Sequence, residues 1–569
     1  MTLLRLTGGR LCDPASGLTG AAVGDLYIRD GRIVGSPAAS HAASDSAAAR
    51  PSAQEALLRS QADRTLDCSG CVLMAGGIDL HTHIGGGKVT LARMLMPESQ
   101  PCDFLPAAGV AGDAYLSMGY TVAVEPAMLA CNARQAHAEM ADTRHLDTAA
   151  YVLLGNDHVL LKLIAGGAPQ ALINDYVAFV ITAAQAIGVK VVNAGGIDAF
   201  KFNVRALNVD TPHPQYGITP GQIIRHLAIA VHDLGLSHPL HVHCSNLGVP
   251  GNISSTRATI EAADGLPIHL THAQFHSYGS GGAKGFSSAA AELAGLLAKH
   301  PNVTIDVGQI MFGQTVTISG DTMHQYANTR FARPRKSALV DIECEAGCGV
   351  VPFRYRHRQF VHSLQWAIGL ELFLMIEDPG RVLLTTDHPN GGPFTSYPHL
   401  IRLLMDRSFR ETALAEIDAE AAAASQLAGI AREYTLEEVA VMTRSAPARL
   451  LGLADQGTLS AGSVADVVVY PEQEDRQRMF ASPRYVVRRG RVIEMQQTGG
   501  AFPVLSTIGD RPADNITHTV RPHFEPSSVA RFSELHAQSA SFSFSNLVIS
   551  DDELATQIGS HPVVHPCRK

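Results

Sequence analysis

Residues 3–35 alternate apolar and polar positions in short runs, and Asp30-Gly31 inside Asp25-Leu26-Tyr27-Ile28-Arg29-Asp30-Gly31-Arg32-Ile33 predicts a tight hairpin between two strands. The Ala/Ser-rich stretch 36–62 carries no apolar stripe and reads as an exposed insertion. A continuous apolar run, Cys71-Val72-Leu73-Met74, then opens a region in which β-type runs alternate with helical patterns, the sequence form of parallel βα units. The strand ahead of His81, with further runs at 121–127, 149–154, 189–194, 239–243, 268–272, 303–307 and 382–386, makes eight. Helical periodicity covers 170–187 and 220–234, with Gly188 and Gly235 on the carboxyl side. That count and order favour a TIM-type (β/α)8 barrel over an open doubly wound sheet. The excursion between Gly308 and Gly380 should lie over the barrel mouth, and past the barrel the pattern returns to helix and then strand, at 434–470 and 485–493.

A length of 569 residues suffices for one large barrel with one or two accessory pieces. With 46% hydrophobic and 17% charged residues and a mean hydropathy of +0.07, the composition is that of a compact enzyme. The net charge of −9, without a long Lys/Arg cluster, argues against a nucleic-acid surface. The first ten residues are too weakly apolar for a signal peptide, and no stretch supplies the roughly 18 apolar residues of a membrane span; the expectation is a cytoplasmic protein without a membrane partner. Nine cysteines are an odd number, and the Cys68–Cys71 pair has no second pair at zinc-ribbon or iron–sulfur spacing, so buried thiols are expected. Only eight of the 44 basic residues are lysine, which with the Ala-rich tracts points to a GC-rich, bacterial genome and says nothing about chemistry.

The apolar run at 71–74 leads into Gly76-Gly77-Ile78-Asp79-Leu80-His81-Thr82-His83. Successive side chains on a strand alternate faces, so His81 and His83 point the same way and can grip one metal ion. The carboxyl ends of barrel strands converge, so ligand types should recur there. The fifth strand ends in His241-Val242-His243-Cys244-Ser245-Asn246, the sixth in His269-Leu270-Thr271-His272-Ala273-Gln274-Phe275-His276, and the eighth in Leu384-Thr385-Thr386-Asp387-His388-Pro389-Asn390. One histidine on an apolar strand is more often a hydrogen-bonded core residue than a ligand; four strands that each deliver a ligand type reverse that expectation. The fourth run, Val189-Lys190-Val191-Val192-Asn193-Ala194, puts a lysine inside an apolar barrel, where an unpaired ammonium is costly. Two readings stand: a lysine paired with a nearby carboxylate, or one carboxylated by CO2 to an anion that bridges two metals. Lys201 competes for the role but lies beyond the Gly195-Gly196 break.

The Gly-Gly-Ile-Asp-x-His-x-His string resembles the first-strand signature of the amidohydrolase superfamily, (β/α)8 barrels whose metals hydrolyse amide-like bonds. A narrower resemblance runs from about residue 3 to 495, through Leu154-Gly155-Asn156, Val192-Asn193-Ala194-Gly195-Gly196, the fifth-strand block continued to Asn252, the sixth-strand block continued to Gly279, Asp306-Val307-Gly308-Gln309-Ile310 and the block from Gln365 to Phe373. These are similar to the A subunit of formylmethanofuran dehydrogenase and to its bacterial relative, the A subunit of the formyltransferase/hydrolase complex. The resemblance implies an α/β fold with a TIM-type barrel over 71–445 and a small β-sandwich built from both chain ends, 1–70 and 446–500; residues 501–569 remain an appendage without a recognised motif. It further implies metal ligands His81, His83, Lys190 as N6-carboxylysine, His243, His272 and Asp387. His388 departs from the small residue that the resemblance implies after the aspartate in archaeal members.

Histidine nitrogens and carboxylate oxygens without thiolates suit Zn2+ in an open catalytic site, here two ions bridged by carboxylated Lys190. The expected reaction is hydrolysis of an N-formyl amine to formate and free amine, with Asp387 as both ligand and base, passing the water proton to the departing amine. Asn246, Gln274, His276 and Asn390, just past the ligand strands, either orient substrate or hydrogen-bond their own loops. By resemblance the substrate is a methanofuran-type carrier, and the partners are a formyltransferase-like subunit together with the other subunits of a hetero-oligomer. Competing readings are the formate-condensing subunit of a tungsten or molybdenum dehydrogenase, a free-standing dihydroorotase- or aminoacylase-like amidohydrolase, and an inactive scaffold, against which the complete ligand set speaks.

Overall fold

The computed structural model describes residues 2–568 apart from 36–52, 87–88, 91, 94–104, 201, 203, 205–206, 283, 320–340, 343–347, 497–503, 508–514 and 541. Most of the Ala/Ser-rich stretch, and Lys201 with it, therefore lies outside the described residues. The eight parallel strands are β1 (Gly77–Asp79), β2 (Tyr120–Met128), β3 (Asp147–Leu153), β4 (Gly188–Val192), β5 (Leu240–His243), β6 (Ile268–Leu270), β7 (Val303–Asp306) and β8 (Val382–Leu383). Each pairs with its neighbour in chain order. Beyond the short ladders the ring closes: Thr82 bridges His388 in parallel, His83 N donates to His388 O at 2.8 Å, and Thr385 Oγ1 donates to His81 O at 2.7 Å. Helices follow the strands as in a TIM-type barrel, among them Gln170–Ala183 after β3 and Pro220–Asp233 after β4; the second is started by a capping box between Thr219 and Gln222 and Pro220 in its first turn.

Both chain ends join one nine-stranded sheet, whose central seam pairs Cys71–Ala75 antiparallel with Val467–Pro471. The period of two sorts the seam between two cores. Cys71, Leu73, Ala75, Val467 and Val469 pack with Leu6, Leu11 and Leu26, whereas Val72, Met74, Val468 and Tyr470 pack into the barrel core. Burial on both faces is why Cys71–Ala75 reads as an unbroken apolar run. The sheet continues past residue 500, through Val504–Thr507 paired with Arg491–Gln496. Cys68 and Cys71 are free, buried thiols, and burial pushes Cys68 up to about 12.

Within 308–380, Gly313–Ser319 and Cys348–Tyr355 pair antiparallel against the loop after β8, where Tyr355 Oη donates to Asn390 O at 3.0 Å and Thr315 Oγ1 donates to Pro389 O. The excursion thus reaches the barrel mouth, as expected. At the opposite end, β9 (Ile516–Val520) pairs parallel with the first half of β3 and carries β10 (His561–His565) on its outer edge. Val520 N donates to Ala186 O at 3.2 Å, so β9 ends where β4 begins. Among the described residues no helix is long and apolar enough to cross a membrane.

Candidate metal centre

The carboxyl ends of β1, β4, β5, β6 and β8 bring His81, His83, Lys190, His243, His272 and Asp387 together in one buried chamber. Asp387 Oδ1 lies 2.9 Å from His81 Nε2 and 3.4 Å from His83 Nε2, and Lys190 Nζ lies 3.4 Å from His81 Nε2. The His272 ring is centred 5.5 Å from that of His81 and 4.5 Å from that of His243. In the ladder Lys190 stands opposite His241, and His241 opposite His269, so β4, β5 and β6 present a layer of polar side chains inside the barrel.

Two carboxylates orient the first-strand pair. Asp306, at the end of β7, reaches His81 Nδ1 at 3.2 Å, and Glu125, on β2, reaches His83 Nδ1 at 3.1 Å. Each contact occupies Nδ1 and leaves Nε2 facing Asp387, the arrangement by which a carboxylate fixes the tautomer of a metal-binding imidazole. Glu125 also accepts from Ile84 N at 3.0 Å and Gly85 N at 3.3 Å, which ties down the loop that carries His83. Asp306 accepts from His272 N at 2.6 Å and contacts His269 Nε2 at 3.1 Å. Sequence reasoning gave neither acid a role; the available signal was a lone carboxylate inside each of two otherwise apolar runs, 120–128 and 303–307.

Burial alone would raise the Asp387 carboxyl, but His81 and His272, with hydrogen bonds from His81 and His83, hold it well below the usual carboxylate range. Burial drives His272 and His276 well below the ordinary imidazole value, so both rings are neutral and able to offer lone pairs. Burial also opposes the charge on His81, yet Asp306 and Asp387 raise it.

The remaining candidates separate. Asn390 Nδ2 donates to Asp387 Oδ1 at 2.9 Å and so belongs to the chamber. His276 joins it with its ring 5.0 Å from that of His243. Gln274, in the same turn, is wholly buried with neither amide atom hydrogen-bonded to a described group. Asn246 instead donates to Asn208 Oδ1 at 3.0 Å and Ser255 Oγ at 2.9 Å, which spends its amide on a neighbouring loop and the helix Ile253–Ala262. His388 is buried beside Phe394 and contributes its carbonyl to closing the barrel. At the back of the chamber Gly308 has φ +64°, and a Cβ there would meet His272 Cβ at 2.3 Å; only glycine leaves room for that ring.

Comparison with known proteins narrows the identity. The model of an amidohydrolase family matches residues 64–494. The chain is 44% identical over 506 residues to the A subunit of the formyltransferase/hydrolase complex Fhc of Methylorubrum extorquens, covering 86% of this chain and 88% of that one. It is 36% identical over 520 residues to protein FwdA of Methanocaldococcus jannaschii, covering 86% and 87%. The crystal structure of the Methylorubrum extorquens FhcABCD complex with methylofuran superposes over the whole of both chains with a TM-score of 0.87 at 39% identity. With its ligand-bearing barrel matched along most of its length, the chain belongs to the amidohydrolase family and, within it, to the group that holds FwdA and the A subunit of the formyltransferase/hydrolase complex.

Proposed function

We propose that this chain hydrolyses the N-formyl amide of a methanofuran- or methylofuran-type carrier to formate and free amine, as the hydrolase subunit of a cytoplasmic formyltransferase/hydrolase complex. As an amidohydrolase the chain is an enzyme acting on a carbon–nitrogen bond. The observation that carries the finer reading is the convergence of His81, His83, Lys190, His243, His272 and Asp387 in a chain so similar to a component of a hydrolase complex. The chamber suits two zinc ions: its donors are nitrogen and oxygen only, and His272 Nδ1 is buried with no hydrogen-bond partner among the described groups. When bound, such ions polarise the formyl carbonyl and bring the ionisation of water close to neutrality. Lys190, as its N6-carboxylate, would hold one ion beside His81, His83 and Asp387 and the other beside His243 and His272.

The chain's own residues then manage the proton. Asp387, held as a carboxylate by His81 and His272 and oriented by Asn390, accepts a proton from the attacking water as the C–O bond forms to the formyl carbon. It delivers that proton to the amine nitrogen as the C–N bond breaks, which leaves formate and the free amine. Burial of the chamber excludes bulk water, so the proton on Asp387 goes to the leaving nitrogen. Gln274, whose amide is unspent, is placed to receive a polar group of the substrate.

The decisive assay is formate release from an N-formyl furfurylamine compound by the purified complex, with dihydroorotate as the negative substrate. Turnover of dihydroorotate alone, or a fully active homo-oligomer with no formyltransferase-like partner on native copurification, would replace this reading with a free-standing amidohydrolase. The 36% identity to FwdA supports a second reading, formate condensation at the same site, which net formylation of the carrier by added formate would favour. Lys190→Ala should lose zinc and activity together, with short carboxylates restoring part of both; full zinc retention would remove the bridge.

A further inference from the structure

His276 ends the short turn Ala273–His276, four residues after His272. The turn is pinned from two sides, with Asn252 Nδ2 donating to Phe275 O at 2.7 Å and Thr256 Oγ1 donating to His276 O at 2.8 Å. Its imidazole is wholly buried, and neither ring nitrogen is hydrogen-bonded to any described group. A buried polar atom left without a partner costs about 1–3 kcal/mol, so a turn pinned on two sides that buries two of them is built for something else to bind there. The ring is centred 5.0 Å from that of His243 and 5.3 Å from that of His272. One nitrogen from each of the three lies within 4.8 Å of the others. A substrate-orienting imidazole would need only one free nitrogen, whereas one nitrogen from each of these three lies within reach of a single ion.

We propose that His276 is a third imidazole ligand, so that His243, His272 and His276 form a three-histidine zinc site beside the His81/His83/Asp387 site. The inference rests on the proposed function only in requiring a zinc ion in this half of the chamber. Three imidazoles and one oxygen of a carboxylated Lys190 complete a four-donor set, the closed arrangement of tightly held zinc. The two halves of the centre are then unequal. The His81/His83/Asp387 half exchanges its metal more readily, and the three-histidine half gives up its metal last.

The test is metal content and position in the purified complex without substrate. A zinc-edge anomalous map should place one ion about 2.1 Å from a His276 ring nitrogen. His276→Gln should bind one zinc per chain in place of two after dialysis against a chelator, with the affinity of the lost site reduced about 10²-fold and the circular-dichroism spectrum unchanged. Two zinc ions held with the original chelator resistance in His276→Gln, together with a raised KM, would make His276 a substrate-positioning residue and overturn the proposal. An ion bound by His243 and His272 but beyond about 3 Å from His276 in the native map would overturn it as well, and that measurement stands even where the variant fails to fold. A native complex without zinc in either half would remove the reading of the whole centre, a different outcome from loss of this one ligand.

Discussion

The two ends of the barrel are both crowded with buried charge and imidazole, but they differ in how far it is paired. At the amino end, wholly buried Arg488 donates from Nε to His145 O at 3.0 Å, from Nη1 to Asp466 and from Nη2 to Asp147, and Arg489 Nη2 meets the second oxygen of Asp147 at 2.5 Å. Two guanidinium groups offset two carboxylates. At the carboxyl end, the rings of His272 and His276 and the amide of Gln274 are buried with unpartnered atoms. Positive φ occurs at both ends, and in the amino-end network His145 and Arg489 have φ +66° and +47°. Asn193, Asn246, His272 and Asp387, just past β4, β5, β6 and β8, all have positive φ, between +36° and +64°. Such conformations cost non-glycine residues about 1–3 kcal/mol and persist where surrounding structure imposes them. A compensated cluster stabilises; an incomplete one is arranged for a ligand.

That contrast breaks most sharply at Asp387. Asp387→Asn keeps the shape and much of any metal but removes the group proposed to accept and return the proton, so kcat should fall by on the order of 10²–10⁴ with the melting temperature nearly unchanged. Formate release measured alongside zinc content decides it; wild-type turnover in the variant would remove Asp387 from proton transfer. Arg488→Met makes the converse test at the other end. It leaves Asp466 without its guanidinium partner in the interior and Asp147 with Arg489 alone, which should cost about 3–5 kcal/mol in denaturant unfolding while activity per folded molecule holds. If turnover fell while stability held, the amino-end network would be functional and the contrast would fail.

A smaller effect belongs to the carboxylates behind the proposed ligands. Glu125→Gln keeps a hydrogen bond to His83 Nδ1 but removes the charge that makes its Nε2 a better donor, so zinc affinity should fall about 10–100-fold. Competition with a chromophoric chelator measures this directly, and unaltered affinity would reduce Glu125 to a loop anchor.

The eight strands and the positions of His81, His83, His243, His272 and Asp387 were legible because each lies at the end of an apolar run, and the runs recur at barrel spacing. Their ends were less legible. β6 stops at Leu270 and β8 at Leu383, short of the expected 272 and 386, because the residues that follow turn out of the ladder into the strained conformations of His272 and Asp387. Glu125 and Asp306 were passed over because an acid in an apolar run carries no mark of which histidine it faces; that pairing spans 42 residues in one case and 225 in the other. Least legible was 501–569. Ile516-Thr517-His518-Thr519-Val520 shows little apolar content, yet it pairs with a strand more than 360 residues earlier, a contact that local pattern cannot encode.

The mildest test concerns that late strand. His518 lies between Asp147, 3.6 Å from its Nε2, and His565 Nε2, 2.9 Å from its Nδ1. Burial, with His518 adding to it against the opposing pull of Asp455, pushes His565 down to about 4. A histidine whose folded value lies below its unfolded one, near 6.5, binds more protons when unfolded. The native state therefore keeps this contribution above pH 6.5 and loses it as the pH falls toward 4. Protonated, His565 would set a cation against the imidazole that faces Asp147, loosening β10 from β9 while leaving the candidate metal centre at the far end of the barrel intact. Chemical denaturation at pH 7 and pH 4.5 should show the wild type losing more stability than His565→Gln, whose side chain keeps a hydrogen bond to His518 without gaining charge. Equal losses in both proteins would mean that the amino-end network takes up the proton without strain, and that its compensation extends to the outermost strand.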